Sequence, residues 1–159
     1  MQRGSFSFAN LKVSDMSCFI RSSKVRFEDC DPAGIVFYPN YILMLNRLIE
    51  DWFSDALALP WGIMHRERKL GFPTVKLQVT FKKASRLDEV LEWSLEVLKL
   101  GSRSVTLEVR ACHSGELRLL IQTVLVSVNL TPEGVSTREI PPEIKAEMET
   151  YLAEPSRFC

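Results

Sequence analysis

The chain has 159 residues, 46% of them hydrophobic and 25% charged, and its twenty basic and twenty acidic side chains leave no formal net charge. That length and composition fit one domain with a sizeable core, and the balanced charge removes the long-range field that would draw nucleic acid or an anionic membrane to the surface. The cysteines at 18, 30, 112 and 159 form no C-x-x-C pair and no zinc-ligand spacing, and no charged segment precedes a long apolar run near the start, so free thiols in a reducing compartment, the cytoplasm, are expected, with no metal.

Residues 1–17 read as a loosely ordered tail in which Met16 is an alternative start; a single domain is expected over 18–153, followed by a short tail at 154–159. Val25 and Phe27 alternate with Lys24 and Arg26, the pattern of a short half-buried strand. It leads into Glu28–Tyr41, E-D-C-D-P-A-G-I-V-F-Y-P-N-Y. The residue before a proline is driven out of the helical region, so Asp31 before Pro32 sits on a bend that Ala33-Gly34 sharpens. Pro39 suits a helix start, where its missing N–H costs nothing, and makes Tyr38 the expected N-cap. A carboxylate therefore precedes a helix N-terminus by seven residues. Such a terminus presents unpaired N–H groups and partial positive charge, suited to a carbonyl oxygen that becomes negative during acyl transfer. Asp31 then attacks the acyl carbon as a nucleophile or activates water as a general base, two roles the sequence leaves open.

From Pro39 to about Leu57, Tyr41, Leu45, Leu48, Trp52 and Ala56 recur at helical spacing, broadened by Ile42, Ile49 and Phe53, with Asn46, Arg47, Glu50 and Asp51 opposite. A buried helix of roughly 28 Å follows from about 1.5 Å per residue. Met64 to Lys69 reads as one or two helical turns stopped by Gly71 and Pro73, with His65 as a solvated surface histidine. Beyond Pro73 the period falls to two. Val75, Leu77, Val79 and Phe81 form one apolar row, Leu91, Trp93, Leu95 and Val97 a second, and Val105, Leu107 and Val109 a third. Leu117 to Val128 is apolar on both faces in part and belongs centrally in a sheet. Pro132-Glu133-Gly134 is a turn, and Pro141-Pro142 opens a short amphipathic helix through Leu152. One long helix with an antiparallel sheet is an α+β arrangement.

The string D-C-D-P-A-G-I-V-F-Y-P-N-Y, residues 29–41, resembles the active-site signature of the hot-dog-fold acyl-CoA thioesterases, in particular their 4-hydroxybenzoyl-CoA thioesterase branch. The likeness extends through Leu59-Pro60-Trp61, Thr80-Phe81 and Asp88-Glu89-Val90-Leu91, covering roughly residues 22–145. It implies a long central helix wrapped by a five-stranded antiparallel sheet, and an acyl-CoA substrate whose CoA is part of the substrate, with no separate cofactor. It further implies Asp31 as the catalytic carboxylate, the Tyr38 backbone N–H polarising the thioester carbonyl, and Gly34 at the site loop. Trp61 matches a tryptophan that meets the ring hydroxyl of an aryl acyl group. Asn46 stands where the branch has an acidic side chain. Arg103 falls on a basic turn and, with Lys99, is expected to hold the CoA phosphates; Lys82, Lys83 and Arg86 are further candidates. Subunit pairing into a homodimer or tetramer is implied because one sheet cannot cover the helix on all sides.

A thioester suits so small a set, since its leaving thiolate has a pKa near 8.5 and needs no strong general acid. The dull readings are an Asx-turn for Asp31, simple packing for Trp61 and Cys30, and solvated strand ends for the basic residues. A short-chain acyl-CoA thioesterase, whose branch usually has histidine at position 38, is the second reading. A non-catalytic acyl-CoA-binding protein is the third, and hot-dog dehydratases are disfavoured because no histidine lies near the turn or in the long helix.

Overall fold

The computed structural model describes residues 17–154, so all but Ser17 and Glu154 of the tails expected at 1–17 and 154–159 lie outside the described residues. The first strand, β1, is Phe19–Lys24, and it ends before the expected alternation does. Asp29 explains why: its carboxylate accepts the Arg26 N–H at 2.8 Å and winds Phe27–Asp29 into a 3₁₀ turn that leaves Phe27 85% exposed.

Helix α1, Tyr38–Asp51, continues as a wider π-helical turn over Trp52–Ala56, matching the expected length. Its N-cap is Phe37, not Tyr38: Phe37 is extended, and Pro39 occupies the second helical position, where a missing N–H is still harmless. Tyr41, Met44, Leu45, Leu48, Ile49, Trp52 and Phe53 are buried, while Asn46, Arg47, Glu50 and Asp51 face outward. The short helix α2 is Trp61–Arg66, starting three residues earlier than the charge pattern suggested because Pro60 supplies its cap.

After β2, Leu70–Gly71, the long strands follow: β3, Thr74–Phe81; β4, Val90–Leu100; β5, Ser104–His113; and β6, Glu116–Val126. Together with β1 they form an antiparallel sheet in the order β1-β4-β5-β6-β3. The α+β hot-dog arrangement is thus observed, and β6 lies inside the sheet as its two apolar faces require. A second sheet, β2-β7-β8, was not legible in the pattern: β7 is Val128–Thr131 and β8 Gly134–Thr137, paired across the expected turn. Helix α3, Pro142–Glu149, stops short of Leu152, which instead bridges to Val97 of β4.

The rows Leu91, Trp93, Leu95, Val97 and Val105, Leu107, Val109 are buried. The β3 row is not: Val75 is 61% exposed, Leu77 40% and Phe81 52%. β3 is an edge strand, and α1 covers only the Phe81 and Val79 end of its apolar face. Among the described residues no helix is long and apolar enough to cross a membrane.

Candidate active site

Asp31 stands at the first corner of a tight turn. Its backbone N–H donates to the Ile35 carbonyl and its carbonyl accepts the Gly34 N–H, both at 2.9 Å, and Gly34 sits at φ +74°. Any other residue there would be strained, although a Cβ would meet nothing within 4 Å. The half-buried Asp31 carboxylate accepts the Ala33 N–H on Oδ1 at 2.9 Å, an Asx-turn that leaves Oδ2 without a donor among the described residues. Turn geometry and a free carboxylate oxygen coexist here.

Two clamps hold this turn against α1. The Asp29 carbonyl accepts the Phe37 N–H and the Asn40 Nδ2–H, each at 2.9 Å. On the other side the 82–89 loop takes over: the Ser85 carbonyl accepts the Val36 N–H at 2.9 Å, Leu87 N–H donates to Gly34 O at 3.3 Å, and the Tyr41 hydroxyl accepts the buried Ser85 N–H at 3.2 Å. That loop is itself pinned by Arg118, which is buried and donates to Ala84 O and to Glu89 Oε1. Asn40 and Arg118 are the supports that reading the sequence missed. Asn40 carried a signal, because asparagine one residue after a helix-starting proline favours backbone bonding; Arg118 carried none, since its partners are 29 and 34 residues away.

Within the first turn of α1 the Tyr38 N–H has no acceptor among the described residues. Beside it lies a cavity of about 260 Å³ lined by Ile35, Val36, Tyr38, Tyr41, Phe81 and the Lys82–Ala84 segment. The Tyr38 ring is exposed and sits edge-on to Phe81 at 6.3 Å. Asp31 does not line this cavity, and its turn leads into it through Ile35 and Val36. Further along α1, Asn46 and Trp61 line one cavity of about 370 Å³ with Met64, His65, Phe72 and Thr74 among others. Phe81 of β3 packs on Tyr41, and Thr74 at the other end of β3 lines the cavity that Asn46 lines, so α1 and β3 each contribute to both cavities.

His65 is half-buried and edge-on to Trp61 at 5.8 Å, not a solvated surface residue. Arg103 and Lys99 are exposed and line neither cavity. Val90, at the start of β4, pairs with Lys24 beside the Asp31 loop, so Lys99 lies about 30 Å further along the strand at about 3.3 Å per residue. Lys82 and Lys83 stand on the rim of the helix-start cavity instead, Lys83 paired with Glu116 at 2.8 Å. Cys30 is half-exposed; burial first, then Asp29, Asp31 and Asp88, push its thiol above the usual cysteine range, which keeps it protonated and weakly nucleophilic. Cys30 and Cys112 are free thiols.

The thioesterase-like superfamily profile matches residues 25–148. The chain is similar to the 4-hydroxybenzoyl-CoA thioesterase of Pseudomonas sp. strain CBS-3, with 36% identity over 125 residues covering 74% of this chain and 86% of that one. It is 24% identical over 124 residues to the acyl-CoA thioester hydrolase YbgC of Escherichia coli O6:H1, covering 78% and 90%. Its fold superposes on a 4-hydroxybenzoyl-CoA thioesterase variant complexed with 4-hydroxybenzoyl-CoA at a TM-score of 0.78 and 23% identity, covering 83% of this chain and 99% of that one.

Proposed function

Since the chain belongs to the thioesterase-like superfamily and is a thioester hydrolase, we propose that it cleaves an aryl-CoA of the benzoyl or hydroxybenzoyl type to the free acid and CoA. Asp31 is the catalytic carboxylate. It attacks the acyl carbon directly, giving a mixed anhydride that water opens, or it takes a proton from the attacking water; either way the C–S bond breaks and the thiolate leaves with no strong acid needed. The Tyr38 N–H meets the developing oxyanion, a donor of the kind whose loss typically costs about 100-fold to 1000-fold in rate. The observation that carries this reading is the unpaired N–H at the head of α1, opening on a cavity and tied through Asp29 and Asn40 to a rigid turn that leaves one oxygen of Asp31 unused.

The acyl ring lies along α1 toward Asn46 and Trp61. The Trp61 indole N–H is buried without an acceptor among the described residues, at a cost of about 1–3 kcal/mol that a substrate oxygen would relieve. The Gly34 backbone bounds the loop where substrate passes. No separate cofactor takes part. The CoA phosphates are met by basic residues: Lys82 and Lys83 from the subunit that holds Asp31, and Lys99 and Arg103 only from a neighbouring subunit. A homodimer or tetramer supplies that neighbour, because the free edge of β3 and its exposed Val75 and Leu77 are what a second copy would cover. A cytoplasmic setting keeps the thiols reduced.

Asp31→Asn tests the assignment. The amide oxygen can still accept the Ala33 N–H, so the turn is retained, while thiol release should fall about 10²-fold to 10⁴-fold. A variant turning over at a tenth of the wild-type rate would remove Asp31 from its role. A short-chain acyl-CoA is the second reading, and rates across benzoyl, hydroxybenzoyl, phenylacetyl and short aliphatic CoA esters separate the two.

A further inference from the structure

The cavity of about 370 Å³ lined by Asn46 and Trp61 falls in the size range of small-molecule sites, and most of its wall is apolar: Met64, Phe72, Val128, Leu130 and Val135. Among its lining residues His65 is the one ionisable side chain, and no carboxylate joins it, because position 46 is a neutral asparagine. The imidazole is held edge-on to Trp61 at 5.8 Å, and neither ring nitrogen has a hydrogen-bond partner among the described residues. His65 also lines a second cavity of about 360 Å³, with Lys69, Leu130, Thr131 and Pro132, so its ring stands on the wall between the two.

A half-buried imidazole with both nitrogens unused, facing a mostly apolar cavity, discriminates between ligands that bring an acceptor oxygen and ligands that do not. An oxygen-bearing ring gains a hydrogen bond there, and a bare ring leaves the imidazole to be desolvated without compensation. Asn46 supplies no competing negative charge to repel an anionic oxygen.

We propose that His65 is a specificity-determining residue, which selects acyl groups carrying an acceptor oxygen, hydroxyl or carboxylate, on the ring position distal to the thioester. The inference rests on the aryl-CoA reading of the same site. His65 stands apart from the reacting carbon and sets which ring is held, so its effect falls on the ratio between substrates.

The experiment measures kcat/KM for benzoyl-CoA, 4-hydroxybenzoyl-CoA and 4-carboxybenzoyl-CoA with the full-length wild-type enzyme, His65→Leu and His65→Gln. The wild type should prefer one oxygen-bearing ring over benzoyl by about tenfold or more, the size expected for one hydrogen bond in a partly desolvated site. His65→Leu should lower that ratio several-fold, the Trp61 indole N–H accounting for what remains, and His65→Gln, which keeps a donor and an acceptor, should restore part of it. The ratio is measured on one preparation, so it does not depend on how much of a variant is folded. Preference for the hydroxyl arm identifies a phenolic acyl group, and preference for the carboxylate arm a dicarboxylic one; both support the assignment. A His65→Leu enzyme that retains the wild-type ratio overturns the role of His65 and leaves the aryl reading standing. A wild type that turns over none of the three while cleaving aliphatic CoA esters overturns both.

Discussion

Arg118→Leu probes the support on which the site depends. The Arg118 side chain is 6% exposed and its partner Glu89 18%, so the pair is largely removed from water, unlike the outward-facing pairs of Lys24 with Asp88 or Arg21 with Asp55. Leucine deletes the bonds to Ala84 O and Glu89 Oε1 and leaves the Glu89 carboxylate with only the Arg86 N–H at 3.0 Å. Breaking a buried pair from one side costs about 3–5 kcal/mol. The surviving Arg86 bond and the partial exposure of Glu89 place this case near about 3 kcal/mol, a large part of the roughly 5–15 kcal/mol that holds a domain together. For a chain of this size each 1 kcal/mol moves Tm by about 2–4 °C, so a drop of about 6–12 °C is expected. Urea unfolding should show a lower midpoint with an unchanged slope. Adding Glu89→Gln to Arg118→Leu should recover stability relative to Arg118→Leu alone, because it removes the uncompensated charge. The 82–89 loop also holds Val36 and Gly34, so kcat should fall at temperatures where the variant is still folded. A Tm shift below 2 °C in Arg118→Leu would refute the reasoning.

Asn40→Ala removes the side-chain bond to the Asp29 carbonyl, which still accepts from Phe37; about 1 kcal/mol of stability should be lost, with a larger proportional loss of kcat than of folded protein at 25 °C, read by thermal melts beside thiol release. Leu77→Lys on the free edge of β3, the edge proposed for subunit pairing, should lower the mass read by light scattering at micromolar concentration, and an unchanged mass would refute pairing through this edge. Cys30 has its thiol raised, so the thiolate needed for alkylation forms only as pH climbs past the ordinary cysteine range; its labelling, followed by peptide mass, should be slow at neutral pH and accelerate only beyond that range. Rapid labelling at pH 7 would contradict the burial and the neighbouring carboxylates as causes.

The residues themselves determined whatever depends on near neighbours in the chain. The turn at Asp31 follows from the local sterics of a proline and of a glycine at φ +74°, the head of α1 from Pro39, and the two buried strand rows of β4 and β5 from period-two alternation. Length and composition carried the expectation of one domain, and the family string could be read directly because it occupies thirteen consecutive positions. The tertiary structure decided what depends on which strands become neighbours. The β3 row has the same alternation as β4 and β5, yet it is exposed, because only the sheet order makes β3 an edge. Lys99 and Arg103 are basic and near a turn, yet that turn is at the far end of β4 from Asp31. His65, set among charges in the chain, becomes part of a cavity wall only when α2 folds back beside β7 and β8, and Arg118 supports the site only through residues about thirty positions earlier. Local sterics act between adjacent residues and can be read in order; burial and pairing are properties of chain segments that meet only after folding.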